Sequence, residues 1–552
     1  MTYEHAAATA CFLLLALNTS PPAPVCGFGG VFLSTSGSAD AQPYFLCGVA
    51  ALHSFEYEEA NDAFKHAQRI DPGFAMAYWG EAMTYSQTLW RHEDVEAGRQ
   101  TLARWRSTSG AQSRKLSTAE EEGFLRAVEI LFGDGDSASR HDAYAEEMGR
   151  LYTRFPSNPE VASFYALALL GTVSRGLIGA MDAAEGHSPG LAGSEIQTRV
   201  AKILIGVLKT HPHHPGALHY LLHNYDDPQH ARLALAQART YATVAPESSH
   251  ALHMPSHIFL QLGLWPDAAR SDQAAFAASD RWIKRKDLGP AMRNYHALAW
   301  LEYELLQLGR YREAWNTIGE LEAVVKASGA LTAGRPAGPH NPLLSDLSSM
   351  RARFVVETRR WDLMSGERNF GNVNELFAIG MSAARANNVP LAELARQQLA
   401  VRSESEQEGD LRPAIAIMER ELAALIELAA GRQDRAIDLL RAAARNERDL
   451  PPPLGLPLPI KPALELLAEV LLEAGKPQEA AAAFEQTLQR HANRTLSVLG
   501  LARSQTALGH PDAARRHYRQ VVANFDRADA DLAELKEARQ MLARSAKRGK
   551  VQ

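Results

Sequence analysis

Residues 44–72 read YFLCGVAALHSFEYEEANDAFKHAQRIDP, and this stretch decides the fold. Small and large residues recur in it at helical spacing: the small ones are Gly48, Ala51, Ala60 and Ala67, and the large ones are Tyr44, Tyr57 and Phe64. Small side chains let two helices approach closely, and large ones fill the space towards the next pair. Pro72 ends the second helix, because proline lacks the backbone N–H donor. The stretch therefore predicts two antiparallel helices.

The C-terminal part of the chain repeats this pattern with a fixed period. Gly475, Ala480, Phe484 and Thr487 recur as Gly509, Ala514, Tyr518 and Val521, each 34 residues later. Further units are anchored at Gly263, Gly309 and Gly431, at irregular spacing, so insertions or degenerate repeats must lie between them. A sustained period of this length is typical of stacked helix pairs.

These residues resemble the tetratricopeptide repeat (TPR) superfamily across most of residues 42–541. The resemblance implies an all-α fold, a right-handed α-solenoid of antiparallel helix pairs, in which the first helix of each pair lines a concave groove. It implies a protein, peptide or small-molecule ligand in that groove, but no single reaction. The segments AMAYWGEAMTY (75–85), HPGALHY (214–220) and HALHMPSHIF (250–259) are together similar to a group of bacterial TPR proteins of undefined function.

Composition fits a helical, soluble protein. The chain has 552 residues, 46% of them hydrophobic and 22% charged, with a net charge of −6. No basic stripe is evident, so nucleic acid is not an expected partner. No later segment has 18 uninterrupted apolar residues, so no membrane span is expected. The three cysteines all lie within the first 47 residues, which excludes a disulfide framework.

The sequence divides into segments of different character. These are a leader or signal peptide at 1–41, an N-terminal TPR-like array at 42–327 with a histidine-rich centre at 211–257, a loop insertion at 328–345, further helical repeats at 346–450, a proline-rich linker at 451–462, a C-terminal TPR pair at 463–541 and a basic tail at 542–552. Ala39-Asp40-Ala41 is similar to a signal-peptidase site. Because no Lys or Arg precedes Lys65, a disordered leader and a wrongly assigned start stay open. The protein is therefore cytoplasmic, or exported to the periplasm if it is cleaved after Ala41.

Nine of the 20 histidines fall between residues 211 and 257. The TPR pattern places helices over 215–225, 229–244, 249–262 and 266–278. His219 and His223 then share one helix at i,i+4 spacing, as do His253 and His257, so each pair lies on one face. Because first helices of adjacent repeats pack closely, we expect all four rings to converge on one divalent transition metal ion, with Asp226 as a further ligand or as an acceptor for a ring N–H.

Imidazole ligands suit Zn, Cu or Fe. Three bound rings leave a coordination position open for chemistry, whereas four close the site. The alternatives are a histidine-lined groove for an anionic ligand or a peptide, and structural packing. No Glu follows His219 or His253, which excludes the HExxH metalloprotease motif. Pro255 either kinks the helix that carries His253 and His257 or opens it.

Three further residues are predicted to bind the ligand in the groove: His53, His296 and Trp79. Glu81 is the candidate catalytic residue, because a carboxylate among aromatic side chains can act as a general base. The alternative for Trp79 and Glu81 is the core between repeats. Lys461 and Glu465 are predicted to form an ordinary helix-face pair. Arg494 is predicted to lie at the surface, with binding of an anion as the alternative.

Three functions are compatible with these features. The first is a TPR protein whose groove carries a histidine-bound metal and binds a small-molecule or peptide ligand. The second is a metal-dependent enzyme, a hydrolase or an oxidase, that uses the same histidines. The third is a plain TPR scaffold for protein–protein interaction, which does not require so many histidines. The sequence leaves open whether the protein is an enzyme.

Overall fold

The computed structural model describes residues 26–90, 92–108, 118–173, 193–328, 342–366, 371–404, 411–451 and 454–548. Within these ranges the fold is all-α, as predicted, and its 24 helices pack in consecutive antiparallel pairs. One two-stranded antiparallel ribbon, Ser86–Gln87 (β1) with His92–Glu93 (β2), interrupts them. Residues 1–25 of the predicted leader and 329–341 of the predicted loop insertion lie outside the described residues.

The first twelve helices are α1 (Gln42–His53), α2 (Tyr57–Ile70), α3 (Ala75–Thr84), α4 (Val95–Thr108), α5 (Ala119–Leu131), α6 (Ser137–Arg154), α7 (Pro159–Val173), α8 (Glu195–Thr210), α9 (Pro215–Asn224), α10 (Ala231–Val244), α11 (Ser249–Gln261) and α12 (Trp265–Lys286). The other twelve are α13 (Tyr295–Gln307), α14 (Tyr311–Ala327), α15 (Pro342–Thr358), α16 (Val373–Arg385), α17 (Val389–Ser403), α18 (Arg412–Ala429), α19 (Gln433–Asp449), α20 (Ala463–Glu473), α21 (Pro477–Arg490), α22 (Thr495–Ala507), α23 (Pro511–Asn524) and α24 (Ala533–Arg548).

The alternation of small and large residues explains how the pairs stack. The ring of Phe64, on α2, lies between Gly48 of α1 and Gly80 of α3. A Cβ added at Gly48 would lie 2.7 Å from that ring, and one added at Gly80 would lie 2.3 Å from it. Phe484 of α21 meets Gly500 of α22 in the same way, at 2.1 Å. Protein interiors are close-packed, so these glycines set how closely the helices approach.

The helices of the histidine-rich centre follow the predicted boundaries, with one difference. Helices α9, α10 and α11 begin and end within two residues of the positions that the repeat pattern predicts. Helix α12 continues to Lys286, eight residues beyond the predicted end. Ile283 remains buried in this extension, and Asp287 ends the helix with a left-handed backbone. Buried apolar contact therefore sustains the extra two turns.

Residues 26–41, the second part of the predicted leader, pack against the repeats. Phe28 and Leu33 are buried in the N-terminal core. The backbone N–H of Phe32 donates to Glu160 Oε1 at 2.9 Å, and that of Ser36 donates to Glu121 Oε1 at 2.8 Å. Cleavage after Ala41 would remove all of these contacts.

The C-terminal helices also pack against the middle of the chain, and we call this the C-terminal docking contact. Asn493 Nδ2 donates to the Gly263 carbonyl at 2.8 Å, and Thr495 Oγ1 donates to the Gln307 carbonyl at 2.7 Å. The N–H of Asp529 donates to the Gly309 carbonyl at 3.0 Å. The contact therefore joins helix pairs that are about 200 residues apart in the sequence.

A buried ionic network lies beneath the docking contact. Arg494 is fully buried and donates to Glu465 at 2.8 Å, Glu357 at 2.5 Å and the Tyr303 hydroxyl at 3.0 Å. Lys461, also buried, donates to Glu465 at 2.7 Å. The prediction of a surface position for Arg494 and of an ordinary helix-face pair for Lys461 and Glu465 is wrong, because the docking contact covers them.

None of the helices in the described part of the chain is both long enough and apolar enough to cross a bilayer.

Candidate metal centre

Three alternate helices bring six histidines together. His219 and His223 lie on α9, and His296 lies on α13. Helix α11, between them in the repeat order, carries His250, His253 and His257. These helices are the first members of three consecutive pairs, which is the side that the repeat pattern assigns to the groove.

The first triad consists of His219, His223 and His250. The Nε2 atom of His219 lies 3.0 Å from Nε2 of His250 and 3.1 Å from Nε2 of His223. On the opposite side of the ring, His219 Nδ1 donates to the backbone carbonyl of His53 at 2.6 Å. This hydrogen bond fixes the proton on Nδ1 and directs the Nε2 lone pair at the other two rings.

The second triad consists of His253, His257 and His296. The Nε2 atom of His253 lies 2.9 Å from Nε2 of His257 and 3.2 Å from Nε2 of His296. Carboxylates accept from the Nδ1 atoms on the far side of the rings: Asp226 accepts from His257 at 2.8 Å, and Asp272 accepts from His253.

The His253–His257 contact has a specific chemical consequence. A neutral imidazole carries one ring proton, and both of these rings use it on Nδ1 to reach a carboxylate. Two Nε2 lone pairs therefore face each other at 2.9 Å. Only a cation, either a metal ion or an extra proton, makes such a contact favourable. Metal–nitrogen bonds of about 2.0–2.1 Å place the nitrogens of a tetrahedral site about 3.4 Å apart, so an ion would spread the nitrogens that lie 2.9–3.2 Å apart slightly.

Burial favours the neutral form of two rings of the first triad, those of His219 and His250. It lowers the pKa of His219 to about 3, although the hydrogen bond to the His53 carbonyl opposes the shift. It also lowers the pKa of His250 well below the ordinary value, and the neighbouring histidines lower it further. Neutral imidazole is the form that binds metals, so these rings need no deprotonation at pH 7.

His250 of the first triad and His296 of the second are half-buried, and both line the same cavity. The cavity has a volume of about 300 Å³, and aromatic side chains of Phe55, Trp90 and Trp282 form much of its wall. His250 and His253 are three residues apart on α11. The backbone positions of these two residues are therefore offset by roughly 4.5 Å along the helix axis.

The structure distributes the four predicted metal ligands between the two triads. His219 and His223 meet in the first, and His253 and His257 meet in the second. His296, predicted as a ligand-binding residue, completes the second triad. His250 completes the first and was not singled out from the sequence, although its i,i+3 spacing from His253 is a signal for it. Asp226 contacts Nδ1 of His257 and does not point to the ring nitrogens at the centre.

Pro255 lies inside α11, between His253 and His257. This is the first of the two positions considered from the sequence. Proline has no N–H, so it cannot bond the carbonyl one turn earlier, that of Ala251. The helix thus lacks one backbone hydrogen bond in the turn that carries the second triad.

A third buried cluster contains His53, Glu160 and His214. His53 Nε2 lies 2.6 Å from Glu160 Oε2, and its Nδ1 lies 2.8 Å from the Tyr220 hydroxyl. His214 Nδ1 accepts from the N–H of Ala217, so its proton is on Nε2 and faces Glu160 at 3.2 Å. Hydrogen bonds thus account for every ring nitrogen in this cluster. His53, predicted to bind the groove ligand, lies in this cluster with a fully buried side chain.

Trp79 and Glu81 lie within the core between repeats. Trp79 is fully buried and contacts the rings of Phe124 and Phe164. Glu81 accepts hydrogen bonds at 2.7 Å from both Gln68 and Arg104. Neither residue contacts the triads, so their positions correspond to the packing alternative for this segment.

Comparison with known proteins agrees with the repeat pattern. A family model described as tetratricopeptide repeat matches residues 471–539, which run from the end of α20 into the first half of α24. No curated protein matches the chain. The chain is thus an all-α protein of stacked helix pairs, and its residues 471–539 match the tetratricopeptide repeat model.

Solved structures of repeat proteins resemble this chain only weakly, in both sequence identity and TM-score. A tetratricopeptide repeat protein from Parabacteroides merdae is 15% identical, with 54% of this chain and 99% of that chain covered and a TM-score of 0.30. A chain of the APC/C hetero-tetramer Cut9–Hcn1 is 11% identical, with 92% of this chain and 76% of that chain covered and a TM-score of 0.29. Yeast Tom70 is 9% identical, with 92% of this chain and 89% of that chain covered and a TM-score of 0.23. TM-scores this low support no inference about function.

Proposed function

We propose that this protein binds two transition metal ions, one in each histidine triad, and holds a small-molecule or peptide ligand in the cavity beside them. The observation that carries the proposal is the 2.9 Å contact between Nε2 of His253 and Nε2 of His257, two atoms whose lone pairs face each other. An ion between them turns this repulsion into coordination. The first triad supports the same interpretation, because the His219 Nε2 lone pair cannot accept a good hydrogen bond from two rings at once.

The surroundings of the triads support metal binding over packing. The rings that bind a metal usually donate their other N–H to a carboxylate or a carbonyl, which fixes the tautomer. His257 and His253 have carboxylates in this position, and His219 has a carbonyl. A bare interaction scaffold has no need for three such hydrogen bonds behind two groups of converging nitrogens.

A metal-dependent enzyme is the second candidate, and one observation favours it. Each triad supplies three nitrogens, so a fourth tetrahedral position is left for water or substrate. The half-buried rings, His250 and His296, line the cavity, so this position is accessible from it. The similarity of the histidine segments to bacterial TPR proteins of undefined function adds no reaction.

Elemental analysis of the untagged protein tests the proposal. We expect close to two ions of Zn, Cu or Fe per chain, after reconstitution if necessary. His250→Ala and His296→Ala each remove the half-buried ring of one triad, so each should lose one ion and keep the other. The matched control is His213→Ala, which removes an exposed histidine of the same sequence cluster.

Circular dichroism establishes that each variant keeps its helix content. Full metal content in both His250→Ala and His296→Ala would contradict the proposal, as would an absence of metal from the reconstituted wild type. A third ion, lost in a His214→Asn variant, would show that the His53–Glu160–His214 cluster had been misinterpreted, because that cluster is expected to bind none.

A further inference from the structure

One aromatic ring contacts all three histidines of each triad, and the two aromatic rings differ in their position relative to the cavity. The ring centroid of Phe55 lies 4.4 to 5.8 Å from those of the three histidines of the first triad. The ring centroid of Trp300 lies 4.3 to 5.5 Å from those of the second triad. Phe55 lines the cavity, whereas Trp300 is 1% exposed and belongs to the core. Phe55 is therefore on the cavity side of its triad.

The two triads also differ in how many of their rings reach the cavity. Among the residues that the structure describes, His250 is the member of the first triad that lines the cavity, and Phe55 lies beside it in the wall. The Phe55 ring also contacts Trp90, another wall residue, with 5.4 Å between the ring centroids. Two members of the second triad, His253 and His296, line the cavity. A molecule that moves from the cavity towards the interior of the first triad therefore meets the Phe55 ring.

The backbone of Phe55 has a conformation that favours glycine. Its φ is +57°, in the left-handed region, where a side chain is strained. Phe55 follows the end of α1, where its N–H donates to the Leu52 carbonyl and the N–H of Glu56 donates to the Ala51 carbonyl. Glycine takes this position, with the same pair of hydrogen bonds, after five other helices, at Gly263, Gly309, Gly431, Gly475 and Gly509. Strain of this kind persists where the surrounding contacts hold the side chain, and it clusters at functional sites.

We infer that Phe55 is a specificity-determining residue that limits which ligands reach the ion of the first triad. The inference rests on the proposed function, because it requires an ion in that triad. The apolar residues around a metal site control what reaches the ion, and the Phe55 ring covers the approach from the cavity. A narrow, linear anion passes this ring, whereas a planar heterocycle does not.

The same comparison assigns the broader ligand to the second triad. Its aromatic neighbour, Trp300, is in the core, and two of its imidazoles form part of the cavity wall. The cavity volume of about 300 Å³ accommodates a small ring compound beside these imidazoles. The two ions are therefore expected to differ in the ligands that they accept, although both triads consist of three histidines.

The experiment isolates each triad in the full-length protein. His296→Ala removes a ring of the second triad and leaves the first, and His250→Ala does the reverse. Both proteins are loaded with Co(II), whose visible absorption changes when a further ligand binds, and are titrated with azide as the narrow probe and imidazole as the broad one. We expect the His250→Ala protein to bind both probes and the His296→Ala protein to bind azide only.

Substitution of Phe55 in the His296→Ala protein tests the role of the ring directly. Phe55→Gly should raise the imidazole affinity of the first triad at least about tenfold and leave the azide affinity similar. Phe55→Leu keeps most of the side-chain volume and should resemble the unsubstituted protein. The matched control is Asn387→Gly, because Asn387 follows α16 with a φ of +60° and the same pair of hydrogen bonds as Phe55. It should change neither affinity.

The outcomes separate the inference from the proposed function. Equal imidazole affinity in the His296→Ala and His250→Ala proteins would overturn the inference and leave both metal sites in place, and this comparison does not depend on a change at Phe55. Loss of cobalt from Phe55→Gly would also overturn it, because the ring would then hold the imidazoles in position instead of limiting access. If the wild type binds no cobalt or other transition metal, both the inference and the proposed function are overturned.

Discussion

Asp226 and Asp227 are adjacent, similarly buried aspartates, and Asp226 contacts a ring of the second triad. Asp226 accepts from Nδ1 of His257, whereas Asp227 accepts from His230 and from the Gln197 amide. Asp226→Asn should therefore weaken metal binding at the second triad. Asp227→Asn is the matched control, because it makes the same chemical change at the neighbouring residue.

The magnitude follows from the contacts of the Asp226 carboxylate. Its two oxygens accept from His257 at 2.8 Å and from Gln261 at 3.3 Å, and both partners are donors. An asparagine offers only one acceptor oxygen and no charge, so the His257 ring becomes a poorer and less firmly oriented ligand. Loss of such a partner typically weakens metal binding 10- to 100-fold, about 1.4–2.7 kcal/mol.

Competition with a chromophoric chelator measures the affinity of each ion. We expect one of the two ions to bind 10- to 100-fold more weakly in Asp226→Asn, with the other unchanged, and both ions to bind normally in Asp227→Asn. Equal weakening in the two variants would refute the reasoning, because the effect would then come from a general disturbance of the α9–α10 turn. Unchanged affinity in Asp226→Asn would also refute it.

Two further predictions concern the buried charges away from the triads. Burial by itself would raise the pKa of Glu160, but His214 and His53 lower it below its ordinary value of 4.5, so the stability that this carboxylate contributes is present above pH 4.5 and is lost as the pH falls below it. Glu160→Gln should lower the free energy of unfolding by about 1.5–3 kcal/mol, because it replaces hydrogen bonds to a charged group. It should also remove part of this acid dependence in urea titrations and leave the metal content unchanged; a loss of metal would contradict the assignment of this cluster. Arg494→Met should cost about 3–5 kcal/mol, because it leaves buried carboxylates without their partner, and it should speed amide exchange across the C-terminal docking contact. Arg519→Met, at an exposed arginine, is the control and should stay within about 0.5 kcal/mol of the wild type.

The fold was predictable because its determinants are local. Gly48, Phe64 and Gly80 lie within one 34-residue period, and their sizes alone indicate which helices approach closely. The paired histidines were predictable for the same reason, since i,i+4 spacing fixes two rings on one face of a helix.

The composition of each triad was not predictable, because it depends on the spacing between helices. His250 and His296 come from different helices, and no periodic pattern relates either of them to the pair that it completes. The sequence therefore favoured one shared ion, whereas the axial offset along α11 gives two groups. Burial of Arg494 was missed for a related reason: its partners Glu357 and Tyr303 are 137 and 191 residues away in the sequence.

The C-terminal docking contact changes how this chain is expected to unfold. An open array of repeats behaves as a one-dimensional stack, in which each unit depends only on its neighbours and the ends can fray independently. Here segments that are distant in the sequence also contact the region from α9 to α13. The N-terminal segment contacts them through the Gly27 carbonyl and Glu247 N–H, and the C-terminal helices contact them through Asn493 and Gly263. We therefore expect the six imidazoles to unfold as parts of one cooperative unit. Loss of either terminal segment should loosen all six together, so metal occupancy reports on the integrity of the whole chain.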